Sequence, residues 1–361
     1  MKSFDENINF LEKSPLFAMS LGSKELFHSN FWAWIIEQEE GRSFINVFFK
    51  DFDLSEFKEV KREDDNRDLV IRNNAGEEYV IENKIKSYPD KEQLLKYKCS
   101  QGVITGIKRP PFEVPDKWDF VDYKTIGQEL KKLAPKFSDE HNRRIVDEYS
   151  EVVLAIDALI DESLKEKEGY LSFWPENASK LDRIRMMDVY KKAKADDFAV
   201  QCEDSMKTIK GLIKKEDWDC WISRSFHNGK ATISFEIQKG RKDNYKGMIG
   251  VQIEGDQFRL FLGMPENKKM PVDEIFEQGK KIGWFDPDFE KNNKREIFGH
   301  QTKMKKNPCS YSNRWVYQYF DTWTKEHDLQ QYDLLKKLIF DNLEKAVEIV
   351  NNNPIAEELF K

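Results

Sequence analysis

Within the segment DLVIRNNAGEEYVIENKIKSYPDKEQLLKY, Asp68 to Tyr97, the stretch YVIENKI sets Glu82 and Lys84 two residues apart in an apolar run. Side chains of a strand alternate, so Val80, Glu82, Lys84 and Lys86 share one face and Tyr79, Ile81, Asn83 and Ile85 the other. The turn residues NNAG between DLVIR and EEYVIENKI predict a hairpin. If its loop is the five residues Asn73 to Glu77, Arg72 pairs with Glu78 and Asp68 falls opposite Glu82 on the same face, with Cβ atoms roughly 5 Å apart. An even-numbered loop would turn Asp68 away. Two carboxylates that close repel and lift one pKa unless a cation lies between them. Mg²⁺ or Mn²⁺ would resolve the conflict, since hard cations take carboxylate oxygen and suit phosphate chemistry. Lys84 could then hold a water or hydroxide near the metal and offset charge on a pentacovalent phosphorane. The spacing E-x-K also occurs on solvated strand faces. Here the apolar neighbours Tyr79, Val80, Ile81 and Ile85 argue for a central strand, which rarely carries charges without a task.

The elements that must position these groups follow from periodicity. In SKELFHSNFWAWIIEQEE, Leu26, Phe27, Phe31, Trp34 and Ile35 recur at helical spacing, with Ser23 as N-cap and Gly41 as stop. A strand over Phe57 to Lys61 precedes the hairpin, a helix from Pro89 to Lys98 follows it, and QGVITGIKR reads as a further strand ended by Pro110 and Pro111. The next hundred residues read as mostly helical: TIGQELKKL, then SDEHNRRIVDEYSEVVLAIDALIDESLKEK, then one run from ASKLDRIRMM to KKE. After Glu216 the pattern becomes DCWISRSF, KATISFEIQKG, GMIGVQIEG and DQFRLFLGM, predicting an antiparallel sheet of about four strands. A loop-rich stretch from Pro265 to Asn313 then leads to RWVYQYF and a closing helix. The expected division is a first domain over residues 1–165, and a helical connector with a C-terminal α+β domain of unassigned role over 166–361.

This ordered set resembles the PD-(D/E)xK nuclease superfamily. Within it, the chain is similar to a bacterial group with a helix like ELFHSNFWAWII, an acidic residue before an R-x-D strand, an I-E-N-K strand and a Q-x-x-x-Y helix. The matching residues are Glu25 and His28, Glu63, Arg67 and Asp68, Ile81 to Lys84, then Gln93 and Tyr97, all between residues 20 and 110. Arg67 stands where the name-giving proline would be. The resemblance implies an α/β (α+β) fold, with a restriction-endonuclease-like core whose mixed central sheet is flanked by helices. It implies that Asp68, Glu82 and the backbone carbonyl of Asn83 ligate Mg or Mn, and that Lys84 orients or activates the attacking water. Glu25 would bind the metal directly or through a water. Glu63 is either a further metal-site carboxylate or a partner of Arg67. Gln93 and Tyr97, four apart on one helical face, would help to place the nucleic acid. His28 reads as a packed or hydrogen-bonded core histidine. The implied partner is DNA, with RNA as the other candidate, and a homodimer is compatible with the sequence. A non-catalytic nucleic-acid-binding or interaction protein on the same fold is the alternative of a different class.

Composition frames these readings. The 361 residues are 39% hydrophobic and 35% charged with net charge -7, so no global positive field draws the chain to polyanions. A nucleic-acid footprint must be local. Residues 84–109 hold seven Lys or Arg against two acidic residues, and residues 290–306 hold six against two. Trp218, Trp221, Trp284 and Trp315 could stack on bases, although most alternate with apolar neighbours as core residues do. Cys99, Cys202, Cys220 and Cys309 are scattered, which argues against a structural zinc site and a disulfide framework. No signal-peptide pattern or membrane-length apolar run is visible, and the expectation is a cytoplasmic protein.

Overall fold

The computed structural model describes residues 2–21, 24–87, 89, 91–110, 114–165, 176–227, 230–240, 245–265, 270–286, 294–303, 309–312, 315–322, 329 and 331–361. They fall into two compact units, with Glu176–Ala193 joining Met1–Lys165 in the first and the chain from Lys194 onward in the second.

The first unit opens with helices α1 (Phe4–Lys13), α2 (Pro15–Ser20) and α3 (Lys24–Glu37). Ser3 and Glu6 form a capping box on α1, and Ser14 with Pro15 starts α2. After α4 (Ile45–Phe48) come strands β1 (Phe57–Asp64), β2 (Arg67–Asn73) and β3 (Glu78–Asn83), helix α5 (Lys91–Lys96), and strands β4 (Gln101–Gly106) and β5 (Trp118–Asp122). Helices α6 (Tyr123–Leu133), α7 (Glu140–Lys165), α8 (Glu176–Arg183) and the first turns of α9 (Met187–Leu212) complete it.

The five strands make one mixed sheet in the order β1-β2-β3-β4-β5. The pairs β1/β2 and β2/β3 are antiparallel, whereas β3/β4 and β4/β5 are parallel. Parallel neighbours need a crossover, and α5 lies in the one between β3 and β4. Leu69, Ile71, Ile81 and Val103 turn to one face and join the main core with α3, α6 and α7. Val70, Val80 and Ile104 turn to the other and are also buried, so the middle of this sheet is covered on both faces.

Two expectations need correction here. The edge strand β5 lies in a stretch assigned no strand; its five residues alternate too briefly to announce one, and it pairs through Gly102, where a Cβ would stand 2.5 Å from the Trp118 ring. The expected single helix through ASKLDRIRMM is two, because Arg185 takes a left-handed φ of 57° and ends α8.

The second unit contains the rest of α9, strands β6 (Trp218–His227), β7 (Lys230–Lys239), β8 (Gly247–Glu254) and β9 (Gln257–Gly263), helix α10 (Val272–Lys281), the hairpin β10 (Lys294–Ile297) and β11 (His300–Lys303), strands β12 (Cys309–Ser312) and β13 (Trp315–Asp321), and helices α11 (Tyr332–Asn352) and α12 (Pro354–Leu359). Its main sheet is antiparallel and has six strands, not about four, in the order β12-β13-β9-β8-β7-β6. RWVYQYF, to which no element was assigned, forms β13, and its pairing with β9 is a long-range contact that no local pattern encodes. Likewise the stretch read as loops contains α10, β10, β11 and β12. Of the basic segment 290–306, residues 290–293 and 304–306 lie outside the described residues. One face of the six-stranded sheet, including Ile233, Phe235, Val251 and Leu260, forms the core with α9 and α11. No helix among the described residues is long and apolar enough to cross a membrane.

Candidate active site

The hairpin register decides whether the carboxylates can meet. Asn73 and Glu77 close the loop through Asn73 N–H to Glu77 O at 3.2 Å, and Gly76 supplies the left-handed φ of 82° that the turn requires. Arg72 pairs with Glu78 and Leu69 with Ile81, so the next residues along the ladder, Asp68 and Glu82, stand opposite each other. The strands are tied at this point by Asn83 N–H, which donates to Asp68 Oδ2 at 2.7 Å.

Glu82 is 1% exposed. Its Oε1 lies 2.7 Å from Lys84 Nζ and 3.4 Å from Gln93 Nε2, while its Oε2 is buried without a hydrogen-bond partner. Gln93 also contacts the hydroxyl of Tyr97, which donates to Asn66 O at 2.7 Å. The Q-x-x-x-Y pair therefore stands beside the carboxylates.

Burial pushes Asp68 above the ordinary carboxylate pKa, helped by Glu25 and Glu63 and opposed by Lys84 and the Asn83 N–H. It pushes Glu82 up too, helped by Asp68 and opposed by Lys84. Burial alone would pull the Lys84 ammonium down, but Glu82, Asp68 and Glu25 outweigh it and hold the pKa above its ordinary value. Lys84 is therefore a cation at neutral pH, suited to donating hydrogen bonds rather than accepting a proton.

Asn83 faces the opposite side of the strand. Its Nδ2 donates to Glu25 O at 2.9 Å, and its Oδ1 accepts from Tyr123 Oη at 2.7 Å and Thr105 Oγ1 at 3.1 Å. The Glu25 carboxylate is engaged as well: Oε1 accepts from Lys86 N–H at 3.1 Å, Ser87 N–H at 2.7 Å and Ser87 Oγ at 2.8 Å. It thus fastens the segment after β3 to α3.

Glu63 lies in β1 between the pairs Arg62–Leu69 and Asp64–Arg67, across from Asp68. Its φ of 50° is left-handed, a conformation costing a non-glycine residue about 1–2 kcal/mol. Arg67 does not pair with it. The guanidinium goes instead to Glu78 at 2.6 Å and Asp64 at 3.4 Å, which removes the second role considered for Glu63. His28 is buried with Nδ1 2.7 Å from Tyr149 Oη, and burial lowers its pKa to about 3.

Among the described residues no group of three or more His, Cys, Asp or Glu side chains is arranged to hold a metal. The donor set is narrower: the two carboxylates and the Asn83 carbonyl. It still fits a hard divalent cation, because the carboxylates are oxygen donors held facing each other and Glu82 Oε2 is a buried acceptor lacking any donor.

Sequence reasoning missed the support from α9. Lys192, buried on that helix, donates to the Lys84 carbonyl at 2.8 Å, and Asp188, one turn earlier, lies 3.0 Å from Lys24 and 3.7 Å from Lys86. The available signal was a lysine one turn from an aspartate on a helix face with Val189 and Ala193.

Compared with models of protein families, with curated proteins and with solved structures, the chain matches none.

Proposed function

We propose that the first unit is a nuclease of the PD-(D/E)xK type that hydrolyses phosphodiester bonds in DNA with Mg²⁺ or Mn²⁺ as cofactor. The observation that carries this reading is that Asp68 on β2 and Glu82 on β3 face each other on one side of the sheet with Lys84, just past β3, against Glu82, and that Glu82 Oε2 is buried and unpartnered. The mixed five-stranded sheet flanked by helices supports the restriction-endonuclease-like core that the resemblance implies.

Asp68 and Glu82, with the carbonyl of Asn83, would hold the ion, which when bound supplies Lewis acidity toward water and phosphate oxygen. The remaining steps belong to the chain. Lys84, held protonated, donates to an oxygen that gains negative charge as the phosphorus becomes five-coordinate. Gln93 and Tyr97 offer an amide and a hydroxyl beside that oxygen and orient the strand to be cut. Glu25 and Asn83 keep β3 and its following segment rigid, so that Lys84 and Glu82 stay in register. Glu63 adds negative charge across from Asp68 and strengthens the attraction for a cation.

The engagement of Glu25 with residues 86–87 favours the second reading, a nucleic-acid-binding module without catalysis, because it leaves fewer carboxylates for metal. Incubation of the full chain with supercoiled, linear and single-stranded DNA and with RNA, in Mg²⁺, Mn²⁺ or EDTA, separates the two. Metal-dependent cleavage lost in Lys84→Ala supports the nuclease; binding without cleavage on any substrate, in every metal, supports the module.

A further inference from the structure

On the sheet of the second unit, the face turned away from the α9 and α11 core carries a different chemistry from its reverse. Register sets Trp315, Gly263, Met248, Gln238 and Asp219 in one row across five strands. The neighbouring row is Tyr317, Phe261, Gly250, Glu236 and Trp221. Over these rows lies a cleft of about 610 Å³ bounded by Trp221, Tyr245 and Trp315, with Met248, Gln238, Gly240 and Asp219 as the rest of its lining. That volume suits a small organic ligand. Trp218 and Trp284 are buried in the core, whereas Trp221 is 37% exposed.

The rings are held in place. A Cβ on Gly263 would come within 2.7 Å of the Trp315 ring, so the missing side chain lets that indole lie down against the strand. Phe261, 5.8 Å from Trp315 between ring centroids, braces it. Glu236, the register partner of Trp221, accepts from Ser223 Oγ. The Trp315 indole therefore lies along the sheet as a platform, with Trp221 on the same face, an arrangement for stacking a flat ring.

The polar lining narrows the class. Gln238, in the cleft lining, donates Nε2 to Gly240 O at 3.0 Å, which fixes the amide and leaves Oε1 to accept. Asp219 adds a carboxylate shared with Lys210 at 2.7 Å. Among the described residues that line it there is no Lys or Arg. Acceptors beside aromatic platforms match the exocyclic amine of adenine or cytosine.

We propose that this cleft binds an amine-bearing nucleobase, stacked on Trp221 with its amino group on Gln238 and Asp219 and with Trp315 bounding the far side of the cleft. The base could belong to a free nucleotide or to a single strand; the chemistry recognised is the same. The site is independent of the nuclease assignment and lies wholly within the second unit.

Calorimetric titration of the full chain in EDTA tests it, since no metal-dependent step can then contribute. The probes are AMP, CMP, UMP, ribose 5-phosphate, choline and a short oligo(dA). Binding of AMP or CMP, weakened about tenfold or more by Trp221→Ala and weakened toward UMP affinity by Gln238→Leu, is the expected result. Oligo(dA) binding far more tightly than AMP assigns the base to a strand, and equal affinity assigns it to a free nucleotide. Ribose 5-phosphate binding as well as AMP, choline binding better, or no binding of any nucleotide at millimolar concentration would overturn the proposal. Trp221 is partly exposed, so its alanine variant is expected to fold, as far-ultraviolet dichroism will check; Trp315→Ala provides a second reading.

Discussion

Lys192 Nζ donates to the carbonyl oxygen of Lys84 at 2.8 Å, so a helix far along the chain holds the residue that bears the candidate catalytic ammonium. Lys84 N–H also donates to Thr105 O at 2.8 Å, and between them these bonds fix the backbone on both sides of the side chain. Lys192→Met keeps the length and removes the donor. Cleavage is expected to fall about ten- to a hundredfold through kcat, with KM little changed, because the reacting groups lose alignment. Denaturant titration should register a cost of about 1–3 kcal/mol for the carbonyl left unpaired.

Asn83 joins three elements through three side-chain hydrogen bonds, to Glu25 O, Thr105 and Tyr123. Asn83→Leu is expected to destabilise the first unit by about 3 kcal/mol or more, since several buried groups lose partners together. Asn83→Asp keeps the acceptor, loses the donor to Glu25 and adds a buried charge. Urea unfolding of both variants checks this, and a cost below about 1 kcal/mol for Asn83→Leu would contradict it.

Asp68 and Glu82 have pKa values raised by burial, so the folded protein binds protons there that the unfolded chain has released. Between the ordinary carboxylate range and the raised values, stability contributed by these groups therefore falls as pH climbs. A divalent ion competes with those protons. Mn²⁺ affinity is expected to rise with pH across the same window, with protons released on binding. Calorimetry in two buffers of different ionisation enthalpy measures that release, and Glu82→Gln should reduce it.

His28 titrates in the other sense. Burial lowers its folded pKa to about 3 from the ordinary 6.5, so below pH 6.5 the unfolded chain takes a proton that the folded chain refuses. Its contribution, present above 6.5, is lost as pH falls, by about 1.4 kcal/mol per pH unit. The pH dependence of stability in His28→Gln should lack this component when compared with wild type by denaturant titration.

Legibility in the sequence followed the range of the interactions. The hairpin between β2 and β3 was legible in NNAG and its flanking runs, but the odd loop length that makes Asp68 face Glu82 was one of two possibilities until the register was seen, because residue types do not fix the loop count. The helix bearing Glu25 declared itself by its apolar spacing, but the hydrogen bonds of Glu25 to residues 86–87 did not, because they join segments about sixty residues apart. The same limit hid Lys192 and the pairing of β13 with β9. Glu63 was singled out only by the resemblance, while its left-handed backbone and the diversion of Arg67 to Asp64 and Glu78 come from hairpin geometry that residue types do not encode.

Asp68 and Glu82 together make the proposed divalent-cation site. Titration of the full chain with Mn²⁺ at neutral pH, beside Asp68→Asn and Glu82→Gln, tests it most directly. One saturable site in the wild type, weakened at least tenfold by either substitution while the fold is retained, is the predicted result. No saturable binding, or a site indifferent to both substitutions, would contradict it.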